Sequence, residues 1–427
     1  MNRPPVPLHT KILYGLLIGG TAGLISNALW GEAPALRWVV ANLAYPAGQI
    51  FLRLIFMVVV PLILSALTLG VAELGDVRRL GRVGLRTLLF TMMLSSISVL
   101  VGVLLVNLIR PGAGLSEARR AELTQLLEAN RAQAAAPIQA KSGVQFFLDL
   151  IPSNPLEAMV NAFRGEMLAV MFFALFIGIA ITLCDAQKMR PVVDLLRSAY
   201  EVSMKVIELA MRLAPYGVAA LLFTLTARFG LSVLKSLSLY VVTVILGLAL
   251  HQFGVYSLFL RWWVGYSPRR FFSKIREVML TAFSTSSSNA TLPTTLRVAE
   301  RELGVPRTIG GFVLTLGSTA NQNGTALYEG ITVLFLAQFF GVELSLGAQV
   351  TVVLLSILSG VGTAGVPGGS LPLVVVLLEA IGVPGEGIGV ILGVDRLLDM
   401  CRTVLNVTGD MVTACYVTRA EGHELRE

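Results

Sequence analysis

Long apolar runs, rather than an alternation of apolar and polar positions, dominate this chain. A helix needs about 20 residues to cross the hydrocarbon core of a bilayer. Runs of that order lie near residues 12–30, 47–72, 86–109, 145–184, 198–228, 232–261, 307–342 and 386–418. Pro152, Pro155 and Arg164 interrupt the fourth run, so we expect it to be broken into shorter helices. The pattern predicts an all-α polytopic membrane protein, and its first run is long enough to be a membrane span rather than a cleaved signal.

Two uncharged segments differ from ordinary spans. Residues 278–296 carry a run of hydroxyl and amide side chains before Pro293, and residues 344–378 contain GVGTAGVPGGSLP, beginning at Gly360. A third apolar segment is interrupted by TANQNGT at 319–325. Non-helical backbone survives at membrane depth only where it is buried in protein or lines a cavity. We therefore expect two re-entrant helical hairpins whose tips meet inside the protein, which is typical of a transporter's binding site. Kinked structural helices with polar packing are the alternative.

The composition is that of a membrane protein: 427 residues, 55% hydrophobic and 14% charged, with a mean hydropathy of +0.76. Soluble domains carry about 25% charged residues, so a water-soluble protein is excluded. The net charge of +7 does not predict a nucleic-acid partner, because Lys and Arg cluster in loops between apolar runs. By the positive-inside rule, the clusters at 78–86, 188–197 and 261–276 share one side with the basic N-terminus, which is predicted to be cytoplasmic. The loop at 110–144, where Arg and Glu are mixed, fits the rule poorly.

One face of the last predicted helix is polar. Its members lie at spacings of 4, 3, 4 and 4 residues: Asp395, Asp399, Arg402, Asn406 and Asp410. At about 100° per residue they fall within an arc of about 80°, with Thr403 at its edge. Each charge at bilayer depth costs about 2.5–3.5 kcal/mol, so packing alone does not explain three carboxylates on one helix. Arg402 suits a substrate carboxylate, Asp399 suits an ammonium group, and Asp410 with Asn406 offers oxygen ligands to a cation.

Several ordered motifs carry a resemblance to one known family. They are RLIFMVVVPLI (53–63), IPSNPLEAMVNA (151–162), APYGVAALL (214–222), STSSSNATLP (284–293), NQNGTALYE (321–329), GTAGVPGGS (362–370) and the block from Asp399 to Asp410. In these motifs the chain resembles the dicarboxylate/amino acid:cation symporter family, which includes the glutamate transporters. The resemblance implies eight transmembrane helices plus two re-entrant hairpins with inverted repeats. It also implies a homotrimer in the cell (inner) membrane that works by an elevator mechanism.

The same resemblance divides the chain into four parts. Residues 1–85 hold the first two helices and belong to a scaffold. Residues 86–144 hold the third helix, part of a mobile transport domain, and a polar loop. Residues 145–262 hold helices four to six, mostly scaffold. Residues 263–427 form the transport core with hairpin 1, helix 7, hairpin 2 and helix 8.

By resemblance, an acidic amino acid binds between the two hairpin tips, the interrupted helix and the last helix. The positions that match the family's substrate ligands are Ser287, Ser288, Thr325, Val366, Gly369, Asp399, Arg402, Thr403 and Asn406. In the family, backbone groups of the tips hold the α-carboxylate, while Thr325 and Arg402 would hold the side-chain carboxylate. Asp399 and Thr403 would hold the amino group, and Asn406 the main-chain end. Arg402 therefore predicts an acidic substrate, and Asp399 predicts that this substrate bears an amine.

The chain departs from the family's sodium-coupled members at one cation site. Where those members read Asn-Met-Asp-Gly-Thr, this chain reads Asn321-Gln322-Asn323-Gly324-Thr325. The third helix, which in the family supplies a Tyr and a Thr-Ser pair to the same sodium, offers Thr91, Leu94 and Ser95. Losing a carboxylate removes the charge that balances a buried cation. We therefore expect this sodium site to be lost.

Glu329, on the helix that follows, is the candidate carrier of a coupling proton. Burial favours a neutral carboxyl group over a carboxylate, and in proton-coupled relatives a Glu at this place carries the proton. The alternative is a structural carboxylate that hydrogen-bonds a neighbouring helix. Asn321, Asp395, Asn406 and Asp410 remain as candidate ligands of a residual cation site. We expect import coupled to H⁺ rather than Na⁺, without a cofactor.

Other functions fit parts of the sequence. A sodium-coupled acidic amino-acid symporter would need other oxygens at the altered site, and a C4-dicarboxylate transporter would leave Asp399 without an amine. An intramembrane hydrolase would need a G-x-S-x-G elbow or a histidine partner for Ser287, and the sequence offers neither. We expect a transporter and not an enzyme, embedded in the lipid bilayer and without a nucleic-acid partner.

Overall fold

The computed structural model describes residues 8–31, 33–74, 82–114, 151–162, 167–362 and 370–426. Within these ranges every regular element is a helix, and the described residues form no strand. The helices of the first half are α1 (Leu8–Trp30), α2 (Pro34–Val39), α3 (Tyr45–Phe56), α4 (Val59–Leu74), α5 (Arg82–Ile109), α6 (Pro155–Val160), α7 (Met167–Leu183), α8 (Ala186–Arg212) and α9 (Ala214–Phe229).

The second half of the chain begins with a long helical run and ends with a long helix. Its helices are α10 (Leu231–Ala249), α11 (Tyr256–Phe259), α12 (Pro268–Lys274), α13 (Arg276–Thr285), α14 (Ser288–Val298), α15 (Arg307–Ala320), α16 (Asn323–Phe340), α17 (Leu346–Gly362), α18 (Leu371–Ala380) and α19 (Leu392–Ala420). Two π-helical turns, Leu250–Val255 and Leu260–Val264, continue α10 and α11 as one helical run.

The break expected in the run at 145–184 is observed, since α6 and α7 are separate helices. Asn154 caps α6, where its side-chain oxygen accepts from the backbone N–H of Leu156, and proline occupies the first helical turn. The predicted run at 47–72 is also divided, because α3 ends at Phe56 and α4 begins at Val59. Such breaks shorten the helices below the length of a simple span.

Length and apolar composition identify three described helical runs that can cross a bilayer: Thr10–Trp30, Val83–Gly114 and Val233–Val264. The consecutive helices α8 and α9 meet at a 60° bend and make a fourth if the pair is one span. Shorter apolar helices lie in α4, α7, α17 and α18. The molecule is therefore an integral membrane protein built almost wholly of helices.

Helix α16 lies at the centre of the second half. It packs against α5, α10, α17 and α19, and every side chain in it except Gln338 is buried. A helix that is enclosed on all sides needs neighbours that satisfy its polar groups as well as its apolar ones. The polar residues near its N-terminus, from Asn323 to Glu329, are the ones that need such partners.

Candidate functional site

Two breaks between consecutive helices lie beside α19. Between α15 and α16 the backbone is non-helical at Asn321 (φ −116°, ψ 77°) and Gln322 (φ −108°, ψ 58°). Between α13 and α14 the chain turns at Ser286, whose φ of 50° is left-handed. Both α13 and α14 pack against α19, as do α15 and α16. The interruption predicted at 319–325 is thus located at two residues.

Arg402 is the largest charged side chain buried in this region, with 1% of its surface exposed. Its Nη2 donates to Oδ1 of Asp399 at 2.8 Å and lies 3.3 Å from Oδ1 of Asp395. Tyr328 covers the guanidinium, with Cζ of Arg402 3.8 Å from the ring centroid, and its hydroxyl donates to Asp395 at 2.7 Å. The remaining nitrogens of Arg402, Nε and Nη1, have no hydrogen-bond partner among the described residues.

Asn406 is one turn further along α19 and is held by the break before α16. Its Oδ1 accepts from the backbone N–H of Gly324 at 2.7 Å, and its Nδ2 donates to Oε1 of Gln322 at 2.5 Å and to Oγ1 of Thr325 at 3.3 Å. The amide group of Asn406 is therefore already engaged on its oxygen and on its nitrogen. Nothing in the sequence marks Gln322 as a site residue, although the motif of the sodium-coupled members quoted above has methionine at this place.

Asn323 lies inside a hydrogen-bonded network. Ser95, on α5, donates to Oδ1 of Asn323 at 2.6 Å, and Nδ2 of Asn323 donates to the hydroxyl of Tyr256 at 3.0 Å. Ser98 donates to the backbone carbonyl of Asn323 at 2.7 Å. A Cβ added at Gly409 would overlap the Tyr256 hydroxyl and lie 2.7 Å from Nδ2 of Asn323. The glycine thus permits α19 to approach this network closely.

The other two predicted members of the altered sodium site share the helix of Ser95. Leu94 is fully buried and Thr91 is 6% exposed. Leu94 presents only carbon atoms, so it offers no ligand to a cation. The structure brings Ser95 to Asn323 directly, whereas no hydrogen bond joins Thr91 to Asn323.

The candidate residual cation site is only partly assembled. Asn321 donates through Nδ2 to Oδ1 of Asp410 at 2.8 Å, and an added Cβ at Gly317 would overlap that carboxylate. Asp395, in contrast, lies with Arg402 at the other end of the polar face. The 15 positions between Asp395 and Asp410 correspond to about 22 Å of continuous helix. The grouping of these two aspartates in one cation site is therefore wrong.

Glu329 is fully buried and makes a contact with α17. Its Oε1 accepts a hydrogen bond of 2.8 Å from Oγ of Ser359, and its Oε2 has no partner in the described ranges. Glu329 thus makes the hydrogen bond to a neighbouring helix that a purely structural role requires. Ser359 had no signal in the sequence beyond its position in an uncharged segment.

Some of the remaining predicted substrate ligands lie in the described part of the chain and others do not. Ser287 caps α14, and its Oγ accepts from the backbone N–H of Ala290 at 3.2 Å, while Ser288 is the first, buried residue of that helix. Thr403 donates back to the carbonyl of Asp399 at 2.9 Å. Val366 and Gly369 lie outside the described residues. In the described ranges no three His, Cys, Asp or Glu side chains group as a metal site.

Comparison with known proteins identifies the group to which these features belong. A model of the sodium:dicarboxylate symporter family matches residues 8–420. The proton/sodium-glutamate symport protein of Bacillus subtilis (strain 168) is 34% identical over 99% of this chain and 94% of its own length. The proton/glutamate-aspartate symporter of Escherichia coli (strain K12) is 33% identical over 99% and 94%. The C4-dicarboxylate transport protein of Rhodospirillum rubrum is 32% identical over 98% and 90%.

Proposed function

The chain belongs to the sodium:dicarboxylate symporter family, which is a family of transporters and not of enzymes, and on that premise we propose that it imports glutamate and aspartate with protons. The similarity to symporters of glutamate and of glutamate and aspartate supports this substrate class. The similarity to a C4-dicarboxylate transport protein makes a dicarboxylate without an amine the second candidate.

The observation that carries the proposal is the buried pair of Arg402 and Asp399. Nε and Nη1 of Arg402 lack partners among the described residues, and buried donors without partners are costly. A carboxylate ligand would supply two acceptors to such a guanidinium. Asp399 lies beside it at 2.8 Å and also contacts Arg396 at 3.5 Å. An acidic amino acid brings the carboxylate and the ammonium group that match these two side chains.

Uptake into proteoliposomes tests the proposal. Labelled glutamate and aspartate are presented under an inward proton gradient, an inward sodium gradient, or neither. We expect both amino acids to accumulate under the proton gradient alone, and labelled alanine to serve as the neutral control. Absence of glutamate and aspartate accumulation under every gradient would contradict the assigned substrate class.

Proton coupling is supported by what surrounds Asn323. An amide nitrogen carries hydrogens and cannot coordinate a cation, and the amide of Asn323 is engaged by Ser95 and Tyr256. Leu94 adds no oxygen. Glu329, fully buried and four residues after Thr325 on α16, supplies a protonatable group close to the proposed substrate ligands. We propose Glu329 as the proton carrier.

We propose that the residual cation site does not include Asp395. Asn321 and Asp410 are in contact, and Asn406 lies one helical turn from Asp410. These three residues offer fewer oxygens than the roughly six that a dehydrated hard cation needs. We therefore propose a sodium dependence of uptake that is weak or absent.

For the architecture we propose eight transmembrane helices and two re-entrant hairpins with inverted repeats. The turn between α13 and α14 supports the first hairpin, and the apolar helices α17 and α18 support the second. We also propose the four parts 1–85, 86–144, 145–262 and 263–427, a homotrimer with an elevator movement, and a cytoplasmic N-terminus. The basic clusters between apolar runs support this orientation.

A cysteine at the first hairpin tip gives a prediction for this architecture. Ser287→Cys should be labelled by a polar thiol reagent, and aspartate should slow the labelling because the tip would close over bound substrate. Ser284→Cys, an exposed position one turn earlier on α13, is the matched control and should be labelled at the same rate with or without aspartate. Equal labelling of Ser287→Cys in both conditions would argue against a tip that lines the site.

Gln322 gives a second prediction, because it engages the amide nitrogen that the substrate would need. Gln322→Met should tighten the apparent affinity for aspartate about twofold to tenfold, which corresponds to one hydrogen bond. The substrate would then no longer have to displace the hydrogen bond between Asn406 and Gln322. Gln322→Glu, which keeps an acceptor for Asn406, should not tighten it. The Michaelis constant for uptake measures both variants. Weaker binding by Gln322→Met would mean instead that Gln322 holds Asn406 in its binding position.

A further inference from the structure

A pocket of about 420 Å³ opens where the helical run Val233–Val264 ends. Gly265, with a φ of 68°, ends this run in a left-handed conformation and turns the chain towards α12. The residues that line the pocket are Arg261, Trp262, Gly265, Tyr266, Ser267 and Arg270. None of them belongs to the substrate or cation sites described above. The pocket combines guanidinium groups, a hydroxyl and aromatic surface in one place.

One wall of the pocket is held rigidly by the C-terminal segment. Tyr266 is buried, and its hydroxyl donates to the carbonyl of Arg426 at 2.6 Å while accepting from Nζ of Lys274 at 2.9 Å. Lys274 donates to the same carbonyl at 2.7 Å. The backbone N–H of Arg426 in turn donates to the carbonyl of Leu303 at 2.9 Å. The pocket is therefore preformed by contacts between segments far apart in the sequence.

Two arginines and no carboxylate are among the described residues that line the pocket. Arg261 makes no ion pair with any described residue, whereas Arg270 already has a partner that a bound anion would share or replace. Glu277 and Glu300, on the neighbouring helices, are each engaged by another arginine, at 2.5 and 2.7 Å. Arg269 and Arg276 add two further exposed cations nearby. An anion in the pocket would therefore meet an excess of positive charge.

The pocket lies at a membrane surface. Trp262 and Trp263 are 72% and 52% exposed at the end of a helical run long enough to cross the bilayer, and exposed tryptophans at such ends lie at the level of the lipid headgroups. Leu258, 48% exposed and one turn before Trp262, extends the apolar surface back along the helix. A ligand with a phosphate and acyl chains would contact both parts of this surface.

We propose that this pocket binds the phosphate of an anionic phospholipid headgroup. The guanidinium groups of Arg261 and Arg270 and the hydroxyl of Ser267 would donate to the phosphate oxygens. The acyl chains would lie along Trp262 and Leu258. The apolar surface favours a lipid over free phosphate as the source of the anion. This inference depends on the membrane location and not on the proposed substrate or coupling ion.

The test measures binding of a fluorescent phosphatidylglycerol to the full-length protein, delipidated in detergent. Arg261→Gln with Arg270→Gln should weaken binding at least about tenfold. Arg269→Gln with Arg276→Gln removes the same number of charges from the same segment, outside the pocket, and should weaken binding less than threefold. Size-exclusion profiles and thermal melting of both double variants establish that they are folded. Arg261→Lys with Arg270→Lys, which keeps the charge, should retain part of the binding.

Competitors identify the source of the anion. Unlabelled phosphatidylglycerol should displace the probe, whereas phosphatidylcholine and millimolar inorganic phosphate should not. Displacement by inorganic phosphate as effective as by the lipid would overturn the lipid assignment in favour of a free-anion site. Equal weakening in the two double variants would also overturn the proposal, because it would mean diffuse attraction of the lipid to the whole basic segment.

Discussion

Arg402→Ala is expected to abolish measurable uptake of glutamate and aspartate, with a loss of affinity of at least about thirtyfold. Arg402 is 1% exposed and touches Asp399, Asp395 and the ring of Tyr328. Removing one partner of a desolvated charge pair costs about 2–5 kcal/mol, and every 1.4 kcal/mol is about tenfold in affinity. The substitution also leaves two carboxylates facing each other without their shared cation. Equilibrium binding of labelled aspartate to purified protein measures the loss directly.

Two controls separate recognition from general disruption. Arg402→Lys keeps the charge but not the planar fork, so it should retain weak binding. Arg396→Ala replaces a partly buried arginine of the same helix, 21% exposed, whose contact with Asp399 is 3.5 Å long. It should have a much smaller effect than Arg402→Ala. Retained affinity for glutamate or aspartate in Arg402→Ala would mean that Arg402 does not bind the substrate carboxylate.

The same assay with succinate distinguishes the two candidate substrate classes. Asp399→Asn should weaken binding of aspartate far more than binding of succinate, because only the amino acid presents an ammonium group to the carboxylate. Equal losses for the two ligands would mean that Asp399 acts by holding Arg402 in place, at 2.8 Å, rather than by contacting the substrate. Succinate accumulation in the unmodified protein that exceeds aspartate accumulation would favour the C4-dicarboxylate function.

The second large effect concerns the coupling ion. Uptake by the unmodified protein should persist without sodium and should increase when an inward proton gradient is imposed. Glu329→Gln should lose this response to the proton gradient while retaining aspartate binding, since the amide preserves shape and the contact with Ser359 at 2.8 Å. Initial rates of uptake, measured at several external pH values with the internal pH fixed, provide the readout. Glu343→Gln, an exposed carboxyl group just beyond the end of α16, is the matched control and should keep the response.

The dependence of uptake on sodium concentration can refute proton coupling. Steep, cooperative dependence of uptake on sodium in the unmodified protein would refute proton coupling and would mean that other oxygens replace the missing carboxylate at position 323. Asn323→Asp places a carboxylate next to Ser95, whose hydroxyl donates to Oδ1 of Asn323 at 2.6 Å in the unmodified protein. An increase in sodium dependence in this variant would attribute the loss of the site to that one residue.

The spacing of polar residues predicted the face of α19 but not the distances along it. Asp399 and Arg402, three positions apart, are in contact as the helical period requires. Asp395 and Asp410 share the same face, yet the rise of the helix separates them by about 22 Å. Periodicity reports which side of a helix a residue occupies, and only residues about one turn apart on that side can bind the same ion.

The pattern of apolar and polar positions did not predict hydrogen bonds between residues far apart in the sequence. Gln322 meets Asn406 across 84 positions, and Ser359 meets Glu329 across 30. Tyr328, which covers the guanidinium of Arg402, looked like an ordinary aromatic residue of an apolar helix. Such contacts depend on how helices pack, and the hydrophobic pattern of one helix contains no information about its neighbour's polar groups.

The helical class followed from the long apolar runs, whereas the number of spans did not. A rule based on length and apolarity finds three runs, or four with the bent pair, in the described chain. It misses helices that are broken, such as α3 and α4, or that carry charges on a protected face, such as α19. The charges that hide α19 from the rule are the same ones from which the binding site is built.

The position of Thr325 and Glu329 on one rigid helix has an energetic consequence. Residues four apart lie about 6 Å from each other along the axis and point the same way, and the side chains of α16 are buried on all sides except at Gln338. A carboxylate held at Thr325 and an ionised Glu329 would repel each other by about 3 kcal/mol at an effective dielectric constant of about 20. A proton on Glu329 removes that repulsion, so joint occupancy by anion and proton is favoured over either alone. Such a linkage is reciprocal, so a bound substrate would also favour a proton on Glu329. The spacing of one helical turn would then couple substrate and proton without a conformational change between the two sites.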